Sequence, residues 1–215
     1  MAFGEVGTSL SKIKANSLNL AGTFGFSGTV SGLADETPLV LLSTFTSDGS
    51  DATATFTSGI DSTYKEYLFV FNNIHPQNNE VDLQFNGSID NGSNYNVAKT
   101  TIAFWAEEVE SGGANQIQYR TGDDLAQGTG YQTVMDALGN GSDESGSGIM
   151  RLYNPSSTTF VKQFQTQVHY YHASNYAINL FTAGYLNTTS AINNIQFKMS
   201  SGEIQGGTID LFGVV

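Results

Sequence analysis

The sequence predicts an all-β protein, an antiparallel sandwich or barrel of about ten strands. Three observations favour this fold class. Short apolar runs alternate with polar residues and are separated by Gly-, Asn- and Ser-rich turns at intervals typical of β-proteins. Aromatic residues reach 12% of the chain, whereas charged residues make up only 13%, against about 25% in ordinary globular domains. The length of 215 residues suits one domain with an extension.

Residues 1–36 differ from the remainder and are predicted to form an extended N-terminal arm. The segment is rich in Gly, Ser, Thr and Asn, and between Leu18 and Val30 its apolar residues fall mostly on even positions, which is the period of a strand. The alternative is a frayed terminus or an edge strand of the main domain. Residues 35–38 mark the boundary, so the sandwich domain is expected to cover residues 37–215. The candidate attachment residues of the arm are Ile13, Leu18, Leu20, Phe24, Phe26 and Val30.

The first half of the domain is predicted to contain strands at residues 39–46, 52–57, 64–74, 81–89 and 95–106. Residues 64–74 are apolar on both faces, which is typical of a strand that is covered on both sides. In the next strand Val81, Leu83 and Phe85 are expected to point inward and Asn86 outward. The Asn-Gly pair at residues 91 and 92 tolerates positive φ angles, so residues 90–94 are predicted to be a hairpin turn.

The second half is predicted to begin with a polar excursion, residues 107–130, that holds at most one short strand. Residues 131–138 are compatible with a strand or a helical turn, and residues 139–148 are predicted to be a low-complexity loop. Ile209 and Leu211 are expected to face the core from the closing strand. The remaining predicted strands are residues 149–153, 158–171, 176–185, 191–199 and 207–214.

Charge and cysteine content narrow the function classes. The formal net charge is −12, and the eight Lys and Arg residues are scattered along the sequence. Nucleic-acid binding needs clustered cations, so neither nucleic acid nor an anionic membrane is an expected partner. Because cysteine is absent, disulfides and thiolate chemistry are excluded. The sequence shows neither a secretory signal pattern nor an apolar run long enough to cross a membrane.

The search for catalytic and metal-binding residues favours a protein that is not an enzyme and has no cofactor. His169 and His172 would point to opposite faces of a strand, so they are not expected to share a metal. Calcium is the best metal candidate, on turns such as Asp48–Asp51, Asp90–Asn94 and Asp143-Glu144, but Asx residues in turns usually bond their own backbone. A glycosidase would need two carboxylates in one walled cleft, whereas the candidates lie in polar, Gly-rich stretches.

A binding role is the alternative for the polar stretches, because function on β-sandwiches often lies on their loops. Tyrosine side chains beside Asn and Asp can contact a sugar or protein surface, although strand aromatics more often fill the core. The candidate ligand-facing residues are Glu107, Glu108, Tyr119, Asp123, Asp124, Asp143 and Glu144.

Four segments carry a recognisable pattern: IDSTYKEYLFVFNNIHP, VDLQFNGSIDNGSNY, SGSGIMRLYNPSS and the ending IQFKMSSGEIQGGTIDLFGVV. Together they resemble a family of virion structural proteins of tailed bacteriophages, of the marine or cyanophage type. The ending matches the pattern SGxIxxGxIxLFGV that is typical of the family. The resemblance spans roughly residues 59–215, and its closing motif describes a turn and a last strand, so no catalytic residues are carried over.

The resemblance implies a jelly-roll-like sandwich that is assembled in the host cytoplasm and exposed on the virion. It leaves open whether the chain is a tail-fibre or adsorption protein or a capsid decoration (cement) protein. The implied partners are capsid or tail proteins, further copies of the chain in a homotrimer, and a host surface glycan or protein for host attachment. The alternative is a carbohydrate-binding lectin or a glycan depolymerase on the same fold.

Overall fold

The computed structural model describes residues 38–113 and 115–215. The predicted attachment arm, with Ile13, Leu18, Leu20, Phe24, Phe26 and Val30, lies outside the described residues. In those two ranges all regular structure is β, so the all-β prediction is confirmed, and no helix there has the length and apolarity that a bilayer crossing requires. The thirteen strands are β1 Leu39–Thr46, β2 Ala54–Phe56, β3 Glu66–Pro76, β4 Val81–Ser88, β5 Lys99–Val109, β6 Asn115–Tyr119, β7 Ala126–Gly128, β8 Gln132–Leu138, β9 Gly146–Tyr153, β10 Lys162–His172, β11 Tyr176–Leu186, β12 Asn194–Met199 and β13 Ile204–Val214.

The strands form two antiparallel layers. The large layer has the order β1-β13-β3-β9-β10-β11-β5, and both β6 and β7 pair with β5 at its far edge. The small layer has the order β8-β4-β12-β2. A single pairing between His172 of β10 and Leu138 of β8 joins the two layers, so the sheet is nearly closed into a barrel-like sandwich.

An aromatic cluster fills the space between the layers, and Phe197 of β12 is at its centre. The ring of Phe197 lies 5.3 Å from that of Phe69 and 5.2 Å from that of Phe71, both from β3 in the opposite layer, in edge-to-face geometry. Phe56 of β2 and Phe85 of β4 complete the contacts at 6.1 and 6.2 Å. Such pairs stabilise a core beyond the area that they bury. Ile209 and Leu211 are fully buried in β13, as predicted.

More strands are present than the sequence indicates. Residues 131–138 are largely the strand β8, which settles one of the two alternatives left open by the sequence. The prediction that residues 107–130 are a polar excursion with at most one short strand is wrong. In the structure β5 continues to Val109, and two short strands, β6 and β7, follow. The reason is pairing with a neighbour, because β5 matches β11 in register from Lys99 to Val109. The predicted loop at residues 139–148 ends earlier, since β9 begins at Gly146.

The turn after β4 has the predicted geometry but not the predicted role. Asn91 and Gly92 both have positive φ angles, 57° and 84°. However, β4 pairs with β8 and β12 in the small layer and β5 pairs with β11 in the large layer, so the chain crosses between layers and the predicted hairpin is wrong.

Two side chains, from β4 and from the start of β5, bond to each other where the chain passes from one layer to the other. Asn86 is fully buried rather than outward-facing, and its Oδ1 accepts a hydrogen bond of 2.7 Å from Nζ of the buried Lys99. The Lys99 amine also donates to the Val97 carbonyl at 2.8 Å, and burial lowers its pKa to about 7. A polar residue at an outward position of the sequence pattern is thus satisfied inside the protein.

Candidate binding face

The outer face of the large layer carries an apolar depression, which we call the outer trough. Side chains alternate along β10, so Phe164, Thr166 and Val168 enter the core while Gln165 and Gln167 stand on the outer face. The same alternation in the neighbouring strands places apolar side chains beside these glutamines. A cavity of about 310 Å³ results, and it is lined by Ile102, Phe104, Ile149, Gln165, Thr166, Gln167, Phe181, Thr182 and Ala183.

Strand register aligns the trough residues in a row across the sheet. Tyr119 of β6 is opposite Phe104 of β5, which is opposite Phe181 of β11. Phe181 is in turn opposite Gln167 of β10, which is opposite Ile149 of β9. The Phe104 and Phe181 rings stack almost in parallel, with centroids 5.1 Å apart and an interplanar angle of 9°. Cross-strand pairs of this kind stabilise the sheet locally and leave the row exposed on its outer side.

The trough continues along β10 toward a more polar end. A depression of about 430 Å³ adjoins it and is lined by residues that include Ser147, His169 and Asn179. A further one of about 360 Å³ includes Tyr171 and Asp143. The Oδ1 atom of Asn179 is buried without a hydrogen-bond partner in the described part of the chain. The outer face therefore has an apolar middle and a polar end with unused hydrogen-bonding capacity.

The middle of the outer trough carries no charge in a protein of formal net charge −12. The charged side chain that register places next to it is Arg151, directly across from Gln165, and this arginine forms an ion pair with Glu66. An uncharged surface in an acidic protein can be covered by another acidic molecule without bringing carboxylates together.

A second cluster of functional groups surrounds Arg120, at the end of the sandwich where β8 and β10 meet. Its Nε donates to Asp123 at 2.9 Å and its Nη2 donates to Asp136 at 2.7 Å. The guanidinium carbon lies 3.5 Å from the centre of the Trp105 ring, a cation–π contact. One cation is thus shared by two acids and an aromatic ring, which is an arrangement that holds the β6–β7 segment against β8.

The acids of the Arg120 cluster titrate abnormally. Burial raises the pKa of Asp136 to about 6, and the nearby charges of Asp123 and Asp82 act in the same direction. Burial also raises the pKa of Asp123, although Arg120 opposes this effect. Because both carboxylates bind the same guanidinium, the geometry indicates a structural ion-pair network more than a catalytic pair.

The structure separates the candidate ligand-facing residues that the sequence suggested. Tyr119 is exposed at the edge of the trough row, and its hydroxyl donates to Asp124 at 2.5 Å. Glu108 shares the outward side of β5 with Phe104, whereas Glu107 points to the opposite side and pairs with Gln116. Asp123 belongs to the Arg120 cluster.

The two candidate acids of the 139–148 segment, Asp143 and Glu144, also lie in different surroundings. Asp143 lines the polar end of the outer face. Glu144 instead closes its own turn, since its Oε2 accepts from the Gly141 amide at 2.6 Å. His75 Nδ1 lies 2.7 Å from the Glu144 carbonyl oxygen, which fixes the turn to β3.

The predicted calcium turns use their oxygens on local hydrogen bonds. Asp48 Oδ1 accepts from the Ser50 amide at 3.0 Å, and Asp90 Oδ1 accepts from the Asn94 amide at 2.9 Å. Within residues 38–113 and 115–215, no three His, Asp or Glu side chains meet in an arrangement that could hold a metal ion. His169 lines the outer face, whereas His172 packs edge-on against Trp105.

Sequence reasoning missed most of the outer trough. Gln165, Gln167, Phe181 and Ile102 did not stand out, because each has the pattern of an ordinary strand residue. The alternation QFQTQ does indicate outward glutamines, but only the pairing of β10 with β11 and of β11 with β5 brings the stacked rings of Phe104 and Phe181 beside them.

Comparison with known proteins provides no relative: no family model, curated protein or solved structure matches this chain.

Proposed function

We propose that this chain is a non-enzymatic structural protein of a bacteriophage virion, an exposed β-sandwich that acts through contacts with other molecules. It serves as a tail-fibre or adsorption protein or as a capsid decoration protein. The observation that carries the proposal is the outer trough, an exposed apolar surface without charge on an acidic protein. The resemblance of residues 59–215 to phage virion proteins supplies the setting.

The outer trough supports an assembly role because exposed apolar patches on soluble domains usually mark contact surfaces. Ile102 and Phe104 on β5 are 54% and 43% exposed, although alternation in a β-sheet would allow polar residues there. Large apolar side chains that remain in contact with water lower the solubility of a protein. Their presence on several strands of this layer therefore favours a surface that is covered in the assembled particle.

The remaining surface suits exposure to the medium. Acidic residues outnumber basic ones by 20 to 8, which keeps copies apart except where an uncharged face permits contact. In this proposal residues 1–36 attach the protein to capsid or tail proteins, and the chain reaches the virion after assembly in the host cytoplasm.

Immunogold labelling of intact particles of the source phage tests the proposal. Dense gold over the head is the result expected for a decoration protein, and sparse gold at the tail is the result expected for an adsorption protein. Absence of gold from every particle, with an antibody that binds the purified chain, would overturn the virion role.

Glycan binding is the second candidate function, and the polar end of the outer face favours it. His169 and Asn179 lie side by side there across β10 and β11, and the buried Oδ1 of Asn179 lacks a partner among the described residues. Sugars are bound by planar polar side chains next to apolar ones. A rise in melting temperature with a glycan panel, lost in Asn179→Ala, is the expected sign of this activity.

A further inference from the structure

Four exposed apolar side chains of β5 and β6 lie close together on the outer face of the large layer. Ile117 is 78% exposed and Tyr119 is 53% exposed on β6, next to Ile102 and Phe104 on β5. Register places Ile117 opposite Ala106 and Tyr119 opposite Phe104, so they share the outer side of the sheet. Together with Phe181 and Ala183 on β11 and Ile149 on β9 they make a surface whose apolar side chains come from four strands, with Gln165 and Gln167 of β10 between them.

This surface is large enough to form part of an interface between proteins. Its four most exposed side chains offer on the order of 100 Å² each, so they alone approach the largest apolar patch of an ordinary monomer. They would supply roughly half of the ~800 Å² per partner that a standard interface buries.

Chemistry favours a protein occupant over a sugar chain in the middle of the trough. Ile102 and Ile117 are aliphatic and offer neither a hydrogen bond nor a ring face. The Phe104 and Phe181 rings stack on each other, so each ring already has one face covered. Stacking on sugars needs free aromatic faces, whereas protein interfaces accept aliphatic groups and ring edges.

Charge and hydrogen bonding favour a second copy of this chain. Two molecules of formal net charge −12 repel each other over most of their surfaces. The uncharged middle of the trough reduces that repulsion where they meet, and the acids Glu108 and Asp124 lie only at the β6 edge of the surface. The exposed amides of Gln165 and Gln167 at its centre both donate and accept hydrogen bonds. A surface that must face a copy of itself needs such self-complementary groups.

We propose that the outer trough is the surface through which copies of this chain associate with one another. The inference rests on the proposed function, because it names the partner that covers the surface on which that function depends. Ile102, Phe104, Ile117 and Phe181 supply the apolar contact, and Gln165 and Gln167 supply hydrogen bonds between copies.

Two matched variants of the full 215-residue chain test the proposal by sedimentation equilibrium. Phe104→Asp places a charge in the trough, whereas Phe160→Asp makes the same change at a 69% exposed position outside it. We expect the wild type and Phe160→Asp to associate equally, and Phe104→Asp to weaken association at least about 30-fold, as for an interface hot spot. Circular dichroism checks that the variants fold.

If Phe104→Asp fails to fold, Ile117→Asp on the edge strand β6 replaces it, with the same expected loss. The proposal is overturned by a wild-type chain that stays monomeric up to about 100 µM, which is a dissociation constant weaker than about 100 µM. Equal weakening by Phe160→Asp would also overturn it, as would a monomer that binds glycans through the trough.

The particle-labelling experiment separates this inference from the proposed function. A monomeric chain that nevertheless labels virions refutes association through the trough and leaves the virion role intact. A chain that associates through the trough but labels no particle refutes the virion role and leaves the association intact.

Discussion

The strands β10 and β11 present one face to the core and the other to the outside, and the two faces differ in how completely their side chains are buried. On the inner face Phe164, Val168 and Leu180 are almost fully buried against the small layer. On the outer face Gln165, Gln167 and Phe181 border a depression that no described residue covers. One chain thus completes its own core on the inner face and leaves a second, partly apolar surface on the outer face.

The inner face should dominate folding stability. Phe197 contacts four phenylalanine rings from both layers, so Phe197→Ala should lower the free energy of unfolding by about 3–5 kcal/mol. Urea denaturation measures this change. Phe160→Ala, an exposed phenylalanine, is the control and should change stability by less than about 0.5 kcal/mol. Equal losses in the two variants would contradict the placement of the core.

The Arg120 cluster should make the closed end of the sandwich sensitive to pH. The pKa of Asp136 is raised to about 6 in the folded chain from an ordinary 3.8, so the folded state binds the proton first. The contribution of Asp136 to the free energy of unfolding therefore increases as the pH falls from 7 toward 4. The increase is about 1 kcal/mol after allowance for partial exposure of the carboxyl group.

Asp136→Asn isolates that effect from the other carboxylates. The difference in melting temperature between wild type and Asp136→Asn should grow in favour of wild type as the pH falls from 7 to 5. A difference that stays constant over this range would show that Asp136 titrates at its ordinary pKa.

Two buried hydroxyl groups on the inner face allow a test for bound water in the core. Thr166 and Thr182 are cross-strand partners on β10 and β11, and the hydroxyl of each is buried without a hydrogen-bond partner in the described structure. Thr166→Val keeps the shape and removes the unsatisfied group, so it should raise the free energy of unfolding by about 1 kcal/mol. Gln165→Val, one residue away on the outer face, should leave it unchanged. Loss of stability in Thr166→Val, measured in urea, would reveal a hydrogen bond to bound water.

The outer face should matter little to the folding of a single chain. Phe104→Ala removes one stacked pair from a half-exposed site, so it should cost only about 0.5–1.5 kcal/mol in urea at micromolar concentration. A loss as large as that in Phe197→Ala would show that the outer trough is part of the folding core.

Local pattern predicted the inner face well. The alternation in Val81, Leu83 and Phe85 and in Ile209 and Leu211 fixes which side chains are buried, because a strand has a period of two. The turn geometry at Asn91 and Gly92 was also predictable, since this dipeptide tolerates positive φ.

Pairing over long distances in the chain escaped prediction. The trough needs Phe104 beside Phe181, 77 positions later, and the Arg120 cluster needs Asp136 from a different strand. No local period reports such partners, which is also why the crossing after β4 was mistaken for a hairpin.

The most direct test of association through the outer trough compares the reactivity of two single cysteines, each introduced into a chain that has no cysteine of its own. Ala183→Cys places a thiol in the outer trough with little change in side-chain size, and Thr158→Cys places one at an exposed position outside it. We predict that a bulky maleimide labels Ala183→Cys quickly in dilute solution and slowly in concentrated solution, while Thr158→Cys reacts at one rate throughout. Equal rates for Ala183→Cys at both concentrations would contradict the claim that another copy covers this face.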